Sequence, residues 1–359
     1  MPATKPAVYI EAAALEISWR DEKRNLSELI FDTVRRAIDD GGRGMDGIAS
    51  VVLAAHDLVD GRSLSSMVTA PAAGAYLRDE IRYGDDGAAA FAAAVVRIEA
   101  GEAERSIVAA WGRASEHDVE GVSRVLFDPF LTVPLGLQEM HVSGMRAQSW
   151  IQLGGSCANR AAAVARRLDA ARSNPRALHS VVRSGRPCYP LLADDMPAWA
   201  DVVAAVIISS RPARVKVSGM GQSSEAFSIG DRQLARMPGL AQAARQALDE
   251  AKHSAKDLDV VEVDGLTLFD EAIALEAAGV ADQGKGLDTL AGDRRVNASG
   301  GAAAGYCAPA MGLARIVEAT LQLQGRAGGN QLPVARSALA TGSSIVAAQT
   351  HTAIVLERT

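Results

Sequence analysis

Apolar and polar positions along the chain switch repeatedly between two periods. VYIEAAALEI (8–17) is an apolar, strand-like run. LSELIFDTVRRAIDDGG follows, with Leu26, Leu29, Ile30, Val34 and Ile38 on one stripe. That spacing predicts an amphipathic helix, ended by Gly41 and Gly42. IASVVLAA reads as a buried strand, a helix is expected over Asp85–Ala100, and SIVAAWG is a further buried strand. The order then repeats. ARVKVSGM predicts a strand, PGLAQAARQALDEAKHS a helix, and LDVVEVDGLTLF a strand. Pro309 to Gln324 predicts a helix, with proline at its first position and Gly325 just past its end. SALATG and TAIVLE close the chain as strands.

This alternation implies an α/β fold with mostly parallel sheets covered on both faces. The stretches RAIDDGGRGMDGIASVVL and QALDEAKHSAKDLDVVEV look like two copies of one helix–strand unit. An N-terminal half is expected over 1–210 and a C-terminal half over 211–359. Residues from about 115 to 200, richer in Pro and Arg, read as an inserted loop region. Each half has one very apolar third helix preceded by a glycine-rich loop. Pseudo-twofold packing would make these two helices central. Their starts would then present free N–H groups and a partial positive charge to a shared cleft. Such a cleft suits a developing anion, for example the oxygen of a thioester enolate.

Composition narrows the partners. With 48% hydrophobic and 22% charged residues the chain falls within the ordinary globular range. A net charge of -6 without a long basic run argues against nucleic acid. No uncharged apolar stretch of 18 residues occurs, so no membrane span is expected. The three cysteines, Cys157, Cys188 and Cys307, show no metal-ligand spacing. They point to a reduced, cytoplasmic compartment, with no metal site expected.

VNASGGAAAGYCAPAMGLARI (296–316) resembles the C-terminal loop of the thiolase superfamily, which runs Asn, a Gly-Gly pair, Gly-His-Pro and Gly-Ala-Arg. ALATGSSIVAAQTHTAIVLE (338–357) looks like the family's closing loop and hairpin. DVVEVDGLTLFDEAIALEAAGV (259–280) is similar to its middle segment, and NPRA (174–177) and PLGL (134–137) fit its inserted region. The resemblance covers nearly the whole chain. It implies duplicated βαβαβαββ halves in a five-layered αβαβα arrangement. Counting back from AGEA at 100–103 puts the family's nucleophilic cysteine at Gly84. RYGDDGAAAF instead resembles thiolase-like proteins grouped with the sterol-carrier-protein-x thiolases. Some of that group are aldolases of steroid side-chain degradation that lack the cysteine, use tyrosines and work with a small OB-fold partner carrying a zinc ribbon.

Other departures bear on chemistry. An ungapped alignment puts Cys307 at the Gly-His-Pro histidine, with Tyr306 one residue before it; a one-residue gap instead puts Tyr306 where the similar aldolases carry a tyrosine. Val263 replaces the His, Asn or Tyr of the middle motif and is followed by Asp264. The family's closing Cys-x-Gly appears as Gly342-Ser343-Ser344. Neither family cysteine is in place, and glycine at 84 cannot form an acyl-enzyme. Tyr306, Cys307 and Asp264 are therefore the catalytic candidates. A phenol can donate to an oxyanion or take a β-hydroxyl proton, and a thiol before a helix start can stand in for the family histidine. Gly84, Asp85, Asn297, Gly300 and Gly301 are candidates for holding an oxyanion or substrate, as are Gly342, Ser343 and Ser344. Asp85 and Asp86 are expected to cap the central helix. Cys157, in GGSCANRAAA, falls too late for the nucleophile position and reads as structural. His56, His117, His141, His179, His253 and His351 match no family motif and read as structural or solvated.

The resemblance implies a protein acting on acyl-CoA thioesters, with coenzyme A as part of the substrate and no tightly bound cofactor. Three readings follow from it. One is non-covalent carbon–carbon cleavage or formation of retro-aldol type, with Tyr306 and Asp264 taking a β-hydroxyl proton while the helix starts and Asn297 hold the enolate. Another is an acyltransferase with a relocated cysteine, Cys307 or Cys157. The third is a non-catalytic subunit. A homodimer core is expected, extended to a heterotetramer by an OB-fold partner.

Overall fold

The computed structural model describes residues 5–61, 64, 66–178 and 186–359. His179 lies outside them. Among the described residues nine strands form one mixed sheet: β1 (Val8–Ser18), β2 (Ile48–Ala54), β3 (Asp79–Tyr83), β4 (Arg105–Arg113), β5 (Asp201–Ser209), β6 (Val215–Ser224), β7 (Val260–Glu262), β8 (Ser337–Ser343) and β9 (Thr350–Arg358). Their order is β3-β2-β4-β5-β1-β6-β9-β8-β7. Outward from the β1–β6 contact, both sides run first strand, last strand, then crossover strands. A parallel bridge from Val261 to Val296 even occupies, beside β7, the place that β3 takes beside β2. The sheet thus carries the repeat that the sequence pattern shows.

The expected parallel character does not hold. Only β2–β3, β2–β4 and β7–β8 are parallel. The β1–β5, β1–β6, β4–β5, β6–β9 and β8–β9 pairs are antiparallel. Parallel neighbours need a crossover that returns the chain to the starting edge. Here the segment 114–200 leaves β4 at Arg113 and re-enters the sheet opposite it, at Asp201. A short loop likewise turns β8 directly into β9.

The helices are α1 (Leu26–Asp40), α2 (Asp57–Asp60), α3 (Ser66–Thr69), α4 (Gly87–Glu99), α5 (Val119–Leu126), α6 (Glu139–Gln152), α7 (Arg160–Ser173), α8 (Pro238–Ala251), α9 (Leu268–Ala277), α10 (Gly286–Gly292) and α11 (Met311–Gln324). α4 and α11 pack on each other and on strands of both sides: α4 on β2, β4, β8 and β9, α11 on β1, β5, β7, β8 and β9. α1 lies on β1 and β5, and α8 lies on β6 and β9. The layers therefore run helix, strands, the α4–α11 pair, strands, helix. Every residue of α11 is buried, which is why its sequence is apolar around most of its circumference. The close approach of the central pair needs glycine: a Cβ on Gly87 would lie 2.6 Å from Leu313 Cβ.

Several element boundaries differ from the sequence expectation. Helix α4 starts at Gly87 because Asp86 is its N-cap. A 3₁₀ turn, Ala308–Ala310, takes up Pro309, and α11 starts only at Met311. The strand expected over LDVVEVDGLTLF shrinks to β7, because Thr267 and Asp270 form a capping box that starts α9. The expected loop region at 115–200 carries three helices, α5, α6 and α7. Its arginines serve packed ion pairs: Arg167 of α7 is buried 3.6 Å from Glu271, and Arg146 of α6 is buried 3.2 Å from Asp270.

Candidate active site

Segments 117–126 and 138–146 of the helical insertion close over the ends of β7 and β8. With Tyr306, Asp264 and the loop 343–348 they enclose a cavity of about 200 Å³. Val119, Val122, Leu126, Met140 and Met196 make much of its wall apolar. Tyr306, Cys307, Asp264, Ser343 and Ser344 all line it, which brings together five of the residues singled out in the sequence. Gly84, Asp85, Asn297, Gly300, Gly301 and Gly342 lie outside its wall.

Asp86 stands where the two central helices begin. Its Oδ2 accepts the Ala88 N–H at 2.9 Å and its Oδ1 the Gly312 N–H at 3.0 Å. One N–H at each of the paired helix starts is therefore taken by a side chain of the protein. This overturns the expectation that those N–H groups are free for an enolate. A Cβ on Gly312 or on Gly342 would overlap the Asp86 carboxylate, so Gly342 is needed for packing. Burial, then the Asp264 and Asp85 charges, push the Asp86 carboxyl well above its usual range.

Asp85 faces the other way. It accepts the Ile345 N–H at 2.9 Å and the Thr350 hydroxyl at 3.3 Å, and so ties down the β8–β9 loop. Gly84 is exposed, and a Cβ there would meet nothing closer than His56 at 3.9 Å. Asn297 is buried, with Oδ1 accepting the Val263 N–H at 2.8 Å. The glycines at 300 and 301 adopt φ of +99° and +57° and pack against Ala171 and Glu271, away from the cavity.

The three catalytic candidates differ in what their surroundings permit. The Tyr306 ring stands edge-on to Trp199, with centroids 5.8 Å apart. Its main chain is fixed on both sides, donating to Ala198 O at 2.8 Å and accepting from Ala200 at 3.1 Å. Burial, then the Asp264, Glu139 and Asp270 charges, push its phenol well above the usual value. A phenol so raised is suited to donate a hydrogen bond rather than to take a β-hydroxyl proton. Cys307 is equally buried, and a Cβ on Gly112 would overlap its Sγ. Burial, then Asp201 and Asp60, push its thiol up. With no thiolate available, Cys307 is a packed hydrophobe. Asp264 is the one of the three whose surroundings suit a base. Burial raises it to about 6, against the pull of Arg315 and the N–H groups of Gly265 and Ser343. Its Oδ1 has no hydrogen-bond partner among the described residues.

Glu139 completes the cavity and is missed by motif reading. It sits at the first position of α6, where it accepts the Ala347 N–H. Burial raises it to about 7, with Ala347 and Arg146 pulling the other way. Arg146, one face of α6 further on, donates to Asp270 at 3.2 Å and to Ala347 O at 2.6 Å. Nothing in QEMHVSGMRA distinguishes these two residues from a solvated helix face. Only the fold turns that face inward. Cys157 is exposed and does not line the cavity.

These features define a thiolase-fold protein whose site is built on carboxyls and a tyrosine. Over 99% of the chain the fold matches an Ltp2–ChsH2(DUF35) aldolase at a TM-score of 0.80 and 17% identity, covering 98% of that chain. It also matches human mitochondrial 3-ketoacyl-CoA thiolase at 0.69 and 16% identity over 99% of this chain and all of that one. Residues 221–358 match the thiolase C-terminal domain-like family. An acetyl-CoA acetyltransferase of Methanothermobacter thermautotrophicus is 32% identical over 187 residues, which is 45% of this chain and 48% of that protein. Human sterol carrier protein 2 is 33% identical over 106 residues, or 27% of this chain and 19% of that one. The chain thus spans about half the length of the first of these relatives and about a fifth of the second. It has the thiolase fold, and its C-terminal part is similar to the thiolase C-terminal domain-like family.

Proposed function

We propose that the protein cleaves a carbon–carbon bond of a β-hydroxyacyl-CoA thioester by a retro-aldol reaction without a covalent intermediate. One observation carries this reading: a carboxylate base, a protonated phenol donor and a second carboxyl face one apolar cavity that offers no thiolate. Asp264 takes the β-hydroxyl proton. The Cα–Cβ bond breaks, releasing a carbonyl compound and leaving the thioester enolate. The Tyr306 O–H donates to the enolate oxygen, and Glu139, poised near neutrality, returns a proton to the α-carbon. The apolar wall receives the acyl group, in keeping with lipid, steroid or aromatic side chains. A homodimer core with a small OB-fold partner is part of the same reading. The aldolase neighbour, solved as a complex with a DUF35 protein, supports it.

The test is incubation with β-hydroxyacyl-CoA esters in the absence of free CoA, with and without an OB-fold partner, and mass spectrometry of the products. The expected products are a shortened acyl-CoA and a carbonyl compound. Tyr306→Phe should lower turnover about 100-fold or more, the effect of losing one oxyanion donor, while circular dichroism shows an unchanged fold. Cleavage that requires free CoA, or an acyl adduct on a cysteine, would overturn the reading.

A further inference from the structure

Ser343 ends β8 and lies directly opposite His351 of β9 in the antiparallel ladder. It lines the cavity, whereas the His351 side chain is fully buried behind it. Ser343 Oγ is 3.0 Å from His351 Nδ1. On the far side of the ring, Nε2 stands 3.5 Å from Glu225 Oε1. Glu225, just past β6, is itself fixed by the Gly239 N–H at 3.1 Å, in the first turn of α8, where the helix dipole favours a carboxylate. A Cβ on Gly239 would lie 2.9 Å from the His351 ring, so glycine leaves the space the imidazole fills. Serine, histidine and glutamate therefore form one line running from the cavity into the protein.

The charges around the line suit a base. Burial lowers the His351 imidazole below its ordinary value, with Glu225 opposing and Arg146 and Arg232 assisting. His351 is then neutral at neutral pH, with Nδ1 free to accept the Ser343 O–H and Nε2–H directed at Glu225. Glu225 is held below its usual range by His351 and Gly239 in spite of burial. The 3.5 Å spacing is long for a hydrogen bond, so Glu225 acts on the ring chiefly through its charge. A nucleophile within reach of a base that a third group orients is the arrangement that activates a hydroxyl.

We propose that Ser343, activated by His351 and Glu225, is a nucleophile that gives this protein a second activity, the hydrolysis of acyl thioesters through an acyl-serine. Ser343 Oγ bonds to the thioester carbonyl carbon while its proton passes to His351 Nδ1. The C–S bond breaks, and the leaving thiolate takes that proton. Water then attacks the acyl-serine ester, giving its proton to His351. His351 returns the proton to Ser343 Oγ as the carboxylic acid leaves. A CoA thioester as the substrate rests on the reading above, whereas the activated serine does not.

The first experiment therefore uses no thioester. The full chain is treated with a fluorophosphonate ester, and adducts are located by intact mass and peptide mapping. The expected result is one phosphonyl group on Ser343 and none in Ser343→Ala. His351→Gln should slow labelling about 100-fold, the scale of a lost general base, and Glu225→Gln should slow it less. Should His351→Gln not fold, the wild-type labelling rate should still rise with pH through one ionisation below the ordinary histidine value. No labelling, labelling at another serine, or a rate that neither His351→Gln nor pH alters would overturn the proposal. Product analysis with β-hydroxyacyl-CoA keeps the two readings apart. Ser343 labelling without any carbonyl product sinks the retro-aldol reading alone, and carbonyl product without labelling sinks this one alone.

Discussion

Asp86→Ala tests how the two central helices are held together at their starts. The substitution removes the N-cap of α4, a loss of about 1 kcal/mol. It also orphans the buried Gly312 N–H at the head of α11, which costs about 1–3 kcal/mol. Loss of the two hydrogen bonds at 2.9 and 3.0 Å should therefore destabilise the protein by about 2–4 kcal/mol. Asp86→Asn should fall between wild type and alanine, because its amide oxygen can satisfy one N–H while its NH₂ confronts the other. The pH dependence has a definite sign. The folded-state pKa of Asp86 lies above its unfolded value. Its contribution to stability is thus fully present below the unfolded value and falls as pH rises towards the folded one. The destabilisation by Asp86→Ala should be larger at pH 5 than at pH 8. Urea denaturation followed by circular dichroism at both values measures this. A difference below about 0.5 kcal/mol, or one that grows with pH, would refute the bridging role.

Further outcomes follow from the cavity and its walls. The rate of carbon–carbon cleavage should rise with pH through about 6 as Asp264 loses its proton, and Asp264→Asn should abolish that rise. Gly112→Ala should cost about 1–3 kcal/mol through overlap with Cys307 Sγ, and Cys307→Ala in the same chain should recover most of it in a double-mutant cycle. Iodoacetamide should modify exposed Cys157 in the folded protein and reach buried Cys307 only on unfolding, read by peptide mapping.

The match between pattern and structure is uneven for a physical reason. Leu26, Leu29, Ile30 and Val34 turn one face of α1 inward, and the stripe in the sequence shows it because burial there follows a single period. Helix α11 is buried at every position, so its apolar run marks a central helix just as directly. The insertion was harder to read. The α5 and α6 faces are amphipathic, but their Pro- and Arg-rich surroundings resemble loop, and the buried Arg146 of α6 and Arg167 of α7 are explained by carboxylates more than 100 residues away, Asp270 and Glu271. The site divides in the same way. Tyr306, Cys307 and Asp264 stand out by their family positions. Their chemistry does not, because burial sets it: the phenol and thiol stay protonated and the carboxyl becomes a base near neutrality. His351 in isolation looks like one more strand histidine. Its partners, Ser343 at the end of β8 and Glu225 just past β6, meet it only through the β6–β9–β8 ladder.

The sequence by itself determined the repeated α/β order, the two buried central helices and the absence of a nucleophilic cysteine at Gly84, since each is written in local period or residue identity. Tertiary structure alone decided the direction of the strands, the filling of both helix starts by Asp86, and the meeting of Glu139, Arg146 and Asp264 around one cavity. Those outcomes depend on which distant groups are desolvated together. Burial and charge proximity act through space, and spacing along the chain carries no record of them.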